Sequence, residues 1–130
     1  MEITIANLRQ TTEGIRCDRI SVLGNPFHMR SEEERLDVVK AYKRYLSGVA
    51  IDQEDPSILA SRMADKYLLQ VSTTWKRPTS RQFVQELNRI QQLSNLEDVT
   101  LLCWCAPLAC HCNIIRDYIN WKNSQLKIND

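Results

Sequence analysis

Val99-Thr100-Leu101-Leu102-Cys103-Trp104-Cys105-Ala106-Pro107-Leu108-Ala109-Cys110-His111-Cys112 is the stretch that decides the fold. Val99 to Trp104 is a short apolar run rich in β-formers, bounded by Glu97-Asp98 before it and Pro107 after it. That is the signature of a buried central strand. Ala106 to Leu108 form a loop, and Ala109 to Trp121 read as a helix with Ile114, Ile115, Tyr118 and Ile119 facing inward. A final strand–loop–helix of this kind points to a layered α/β domain.

The rest of the chain fits that reading. Ile3 to Leu8 alternate apolar and polar residues and predict a first strand, ended by the polar run from Arg9 to Gly14. Ile15 to Val22 read as a second strand or a charged extended loop. Gly24-Asn25-Pro26-Phe27 is a turn, because proline disfavours helical geometry at Asn25. Ser31 with Glu34 three residues on predicts a capping box and a helix whose apolar face is Leu36, Val39, Tyr42, Tyr45 and Leu46, stopping near Gly48. A loop over 52–56 leads to a second helix, Pro56 to Val71, carrying Ile58, Leu59, Met63, Tyr67 and Leu68. Thr73 to Thr79 is a polar connection, and Thr79 or Ser80 caps a third helix with Phe83, Leu87, Ile90 and Leu93. The tail after Lys122 is polar and expected to fray. The expected architecture is a small Rossmann-like layered α/β domain over 1–124, with a polar tail over 125–130. Its sheet is short and mostly parallel and is flanked by about four helices.

The chain has 130 residues, enough to bury one core and too few for two. Seventeen Lys and Arg against 16 Asp and Glu leave the net charge near zero, which gives no support to nucleic-acid or anionic-membrane binding by the whole surface. Met1-Glu2-Ile3-Thr4-Ile5 lacks the basic segment and long apolar run of a signal peptide, and no apolar stretch approaches the length of a membrane span. A cytoplasmic protein without a membrane partner is the expectation. Trp75, Trp121 and the amphipathic helices leave room for a homodimer, with no heptad pattern for a coiled coil.

Five cysteines are present, four of them within ten residues beside His111. In a reducing compartment that clustering reads as metal binding or thiol chemistry. Two-residue spacing on a strand puts Cys103 and Cys105 on one face and turns Trp104 into packing. Cys110, His111 and Cys112 fall at the first turn of the last helix, whose N–H groups favour a thiolate or an anionic ligand. Such an exposed helix start also predicts that His111→Ala costs little stability. Metal binding, to zinc or iron, would draw on Cys103, Cys105, Cys110, His111 and Cys112. Adjacent helical residues diverge by about 100°, so Cys110 and His111 do not readily share one ion. The pair Cys110 and Arg116 matches the Cys-x5-Arg spacing of phosphate-binding cysteine phosphatases, but Arg116 lies mid-helix and is expected to point away. Cys103 alone, on a buried strand, reads as a core residue.

The residues Asp18-Arg19, Leu23 and Gly24-Asn25-Pro26-Phe27, taken with Cys103-Trp104-Cys105-x-Pro107-x-x-Cys110-His111, resemble a short bacterial and phage family. It is a domain of unknown function defined by an early GNPF or GNPW motif and a late CWC-x-P-x-x-CH motif. The resemblance runs from about Asn7 to Ile119 and includes the helix Arg35 to Leu46. It implies an α/β domain in which the two motifs meet at one site. The shared positions are Asn7, Arg9, Arg19, Gly24, Asn25, Pro26, Phe27, Cys103, Cys105, Pro107, Cys110 and His111. Cys17 and Cys112 fall outside the pattern, and 51–78 match nothing in it.

Together these readings predict a small-molecule site for a nucleotide or another phosphorylated or anionic metabolite. Arg9, Arg19, Gly24, Asn25, Pro26 and Phe27 would bind it. If catalysis occurs, His111 is the acid/base and Cys110 or Cys105 the nucleophile. A metal-binding module and a non-catalytic ligand-capturing accessory protein are the alternatives.

Overall fold

The computed structural model describes residues 2–129, with side chains for 2–126. It is a mixed α/β fold: a three-stranded parallel sheet, a small antiparallel strand pair and four α-helices. Strand β1 (Ile3–Asn7) and β2 (Ile15–Arg16) flank the central β5 (Val99–Cys103), all parallel, in the order β1-β5-β2. Ile3 faces Val99 and Asn7 faces Cys103 across one ladder, while Ile15 faces Leu101 across the other. Four of the five β5 residues are buried. A parallel strand covered on both faces is largely apolar, which is why Val99-Thr100-Leu101-Leu102-Cys103 does not alternate; Thr100 is its one partly buried position and its hydroxyl meets that of Thr4.

The second pair, β3 (Phe27–His28) with β4 (Gln70–Val71), forms where a longer second helix was expected. The helix α2 (Pro56–Tyr67) stops early because Leu68 adopts a left-handed conformation, φ 56°, which terminates a helix. Its start is well made: Asp55 accepts from the N–H groups of Ser57 and Ile58, with proline at the first helical position.

Helix α1 (Arg35–Ala50) is the organising element on one side of the sheet. Its buried face is Val38, Ala41, Tyr42, Tyr45, Leu46 and Val49, so the apolar stripe is rotated from the expected one and Leu36 is 65% exposed. Gly48 does not end this helix. It lets α2 approach: a Cβ there would sit 2.2 Å from Leu59 Cδ2. The Ser31 side chain makes no cap, and Glu34 instead pairs with the backbone and guanidinium of Arg30. The true capping box is at α3 (Ser80–Ser94), where Thr79 and Gln82 satisfy each other's N–H groups. Phe83, Leu87 and Ile90 pack inward as their spacing predicts. Tyr45 sits at the core centre, edge-on to Phe27, Trp75 and Phe83. Trp75 is therefore a core residue and offers no surface to a partner.

Helix α4 (His111–Asn129) runs through most of the segment expected to fray; residue 130 and the side chains of 127–129 lie outside the described residues. Ile115 and Ile119 are fully buried, and Ile114 and Tyr118 only partly. Among the described residues no helix is long and apolar enough to cross a membrane.

Candidate functional site

A cavity of about 450 Å³ opens at the carboxyl ends of β2 and β5. Residues just past β2 (Asp18, Arg19) and just past β5 (Trp104, Cys105, Cys110, His111) line it, together with Asn25, Phe27 and Arg35. Parallel sheets place ligand crevices at strand carboxyl ends because the loops diverge there. The volume falls in the range of small-molecule sites, about 300–1,000 Å³.

The loop after β5 is held by Asn7. Its Nδ2 donates to the carbonyls of Trp104 (3.1 Å) and Ala106 (2.9 Å), and its Oδ1 accepts the Arg9 N–H (2.8 Å). The Ala106–Pro107 peptide within this loop is cis. Trp104 does not turn into packing. The strand ends at Cys103, so Trp104 is 52% exposed and its indole N–H donates to Asp18 Oδ2 at 3.2 Å. Asp18 also receives Arg16 Nε at 3.0 Å. Burial pushes the Asp18 carboxyl up, but Arg16 and the indole N–H outweigh it and hold the group below the usual carboxylate value.

Arg19 carries the cavity's unsatisfied positive charge. Its Nε is buried without a hydrogen-bond partner among the described residues, and only its Nη2 reaches a carbonyl, that of Phe27, at 3.5 Å. Gly24 fixes its backbone: a Cβ at Gly24 would lie 2.6 Å from the Asp18 carbonyl and 2.8 Å from Arg19 Cα. The GNPF segment thus works largely from beneath. Gly24 packs against the Arg19 backbone, the Pro26 carbonyl accepts from Ser72, and Phe27 is a fully buried core aromatic. Asn25 alone of its polar groups reaches the cavity lining, with Oδ1 accepting the Phe27 N–H at 2.9 Å. Arg9 is exposed and lies outside the lining.

His111 sits deeper than a helix start suggests. It is 6% exposed, packs edge-on to Tyr42 with centroids 5.1 Å apart, and its Nε2 meets the Cys17 carbonyl. A carbonyl only accepts, so Nε2 carries the proton and Nδ1 is the lone-pair side. Burial disfavours the imidazolium and lowers its pKa, leaving a neutral base. The expectation of a partly exposed side chain is corrected here: α1 rises over the start of α4 and closes it off.

Three of the five cysteines meet in one buried cluster. Cys110 Sγ lies 3.5 Å from Cys103 Sγ, and the sulfurs of Cys103, Cys110 and Cys112 all lie within 4.8 Å of one another, a buried group that could hold a metal ion. Hydrogen bonds from Cys110 and Cys112 pull the Cys103 thiol down, and donating them pushes both partners up. Cys110 is therefore a protonated donor, not the depressed thiol its position at a helix start suggests. A hydrogen bond from Cys110, opposed by burial and helped by Arg35, brings Cys105 down to about 6. His111 turns away from this group, as the divergence of adjacent helical residues requires. Arg116 faces Asp117 and does not line the cavity.

Sequence reasoning missed Asp18, Trp104 and Arg35 as parts of the site. Arg35 pairs with Glu32 and donates to the Ala109 carbonyl at 2.7 Å, tying α1 to the start of α4. The resemblance of the helix from Arg35 to Leu46 to a family segment was its one available signal.

A family model described as Domain of unknown function (DUF4326) matches residues 4–121. No curated protein and no solved structure matches the chain.

Proposed function

The chain belongs to the DUF4326 family of domains of unknown function, and from that premise we propose that its cavity binds a small anionic metabolite with an apolar or planar body, of the nucleotide or sugar-phosphate class. The observation that carries this reading is the buried, unpartnered Nε of Arg19 in the lining of the cavity. An anion would supply the acceptor that a buried donor otherwise lacks, and a buried unsatisfied donor costs about 1–3 kcal/mol. Asn25, whose Oδ1 is already committed, keeps its Nδ2 for a second acceptor. Met29, Val38 and the exposed Trp104 give the body of the ligand an apolar wall.

If the site turns a substrate over, the neutral His111 is the candidate base through Nδ1. Cys105, half-buried in the lining, is the nucleophile in preference to the more deeply buried Cys110.

The test is calorimetry of the chain against a panel of nucleoside phosphates, sugar phosphates and their uncharged counterparts. Binding by the anionic members, lost in Arg19→Gln with the fold intact by circular dichroism, supports the reading. Equal binding of charged and uncharged members, or undiminished binding by Arg19→Gln, would overturn it.

A further inference from the structure

We infer that Cys103, Cys110 and Cys112 form a buried three-thiolate site for a single thiophilic divalent ion of the zinc class, with Cys105 as the fourth donor. The inference does not rest on the anion reading, which Arg19 and Asn25 carry; the two share Cys105, which serves as a nucleophile only where no ion holds it.

Three observations carry it. The donor atoms come from the end of β5 and the start of α4, two elements already held together by the Asn7 and Arg35 contacts to the intervening loop. The sulfurs have the spacing of a single-ion site. A tetrahedral ion at about 2.3 Å from each sulfur holds them about 3.8 Å apart, against 3.5 Å for Cys103–Cys110 and a 4.8 Å ceiling for all three pairs. The three are 1%, 4% and 0% exposed, so these three sulfurs are shielded from water. Buried cysteines pack well without a metal, but three thiols on one another leave each sulfur only a weak donor or acceptor as its partner.

Cys105 completes the set. Its thiol lies outside the three-sulfur group, but it follows Cys103 by two residues on the loop after β5 and lines the cavity beside Cys110, so the fourth position faces outward. His111 and Cys17 stand outside the set by distance: neither adds a donor atom to the group whose members all lie within 4.8 Å of one another. An all-sulfur set suits zinc over magnesium or calcium, which take oxygen. Each thiol that binds releases its proton to solvent.

Untagged protein expressed with added zinc should carry one zinc per chain, and X-ray absorption at the zinc edge of this wild-type protein should report four sulfur neighbours. Reduced, zinc-free protein titrated with cobalt should give the thiolate-to-cobalt charge-transfer and tetrahedral d–d absorption, saturating at one equivalent. Cobalt affinity should fall at least tenfold in Cys112→Ser, as loss of a metal ligand's support already does, and stay unchanged in Cys17→Ser. Absent cobalt absorption at one equivalent overturns the inference, as does stoichiometric iron in place of zinc. A nitrogen neighbour at the zinc edge overturns the exclusion of His111. The edge measurement needs no variant, so a Cys112→Ser protein that fails to fold does not blunt the test. Anion binding measured in chelator reports on the cavity separately.

Discussion

Replacing His111 by alanine should destabilise the protein substantially, against the expectation from its place at a helix start. The side chain is 6% exposed and its ring lies 5.1 Å from that of Tyr42. Removing it strands the Cys17 carbonyl, at about 1–3 kcal/mol for a buried acceptor. It also deletes an edge-to-face contact of about 0.5–1.5 kcal/mol and leaves a small cavity. These effects overlap, so the expected loss is about 2–4 kcal/mol, a large part of the roughly 5–15 kcal/mol that holds a domain together. At a urea slope of about 2 kcal/mol/M, a loss of 3 kcal/mol moves the midpoint by about 1.5 M. His111→Gln separates the two contributions, since its amide can still donate toward the Cys17 carbonyl, and should recover about half of the loss. The assay is urea unfolding followed by far-ultraviolet circular dichroism, in chelator so that no metal contributes. A His111→Ala protein within about 0.5 kcal/mol of wild type, the range of ordinary surface substitutions, would refute the reasoning.

Asn7→Ala should cost about 1–3 kcal/mol and speed alkylation of Cys105, because the loop after β5 loses both side-chain hydrogen bonds; unchanged labelling kinetics would argue that the loop is held otherwise. Cys103→Ser, measured in chelator, should lower stability by about 1–3 kcal/mol, since it places a hydroxyl at a 1% exposed strand position; a neutral result in thermal melts would mean that the new hydroxyl finds a partner. The Asp18 carboxyl titrates lower in the folded chain than unfolded, so its stabilisation is present above the ordinary carboxylate range near pH 4 and lost as pH falls through the folded value. Asp18→Asn should therefore flatten the acid limb of a stability–pH curve, and identical limbs would count against the Arg16–Asp18–Trp104 arrangement. Tyr42→Phe leaves the Leu23 carbonyl without its 2.7 Å donor and should cost about 1–3 kcal/mol; an unchanged melting temperature would contradict that.

What the sequence by itself determined was the kind of fold and several of the residues that line its cavity. The unbroken apolar run of β5, the period of Phe83, Leu87 and Ile90, and the Thr79 cap are short-range signals, and each is legible because neighbours along the chain dictate the geometry. The family motifs, also local in sequence, contain Asp18, Arg19, Asn25, Trp104, Cys105, Cys110 and His111, which line one cavity. Tertiary structure alone decided what each side chain does there. Which stripe of α1 turns inward depends on the sheet and α2, and Gly48 is understood only once Leu59 stands against it. Gln70 and Val71 became strand because β3 offered an edge to pair with. The roles at the site join positions up to 99 residues apart, as in Asn7 with Ala106 or Arg35 with Ala109. No period or spacing encodes such contacts. His111 and Cys112 show the limit most sharply. They are adjacent in the chain and alike in what they could ligate, yet the helical turn between them sends one to the Cys17 carbonyl and the other into the sulfur cluster.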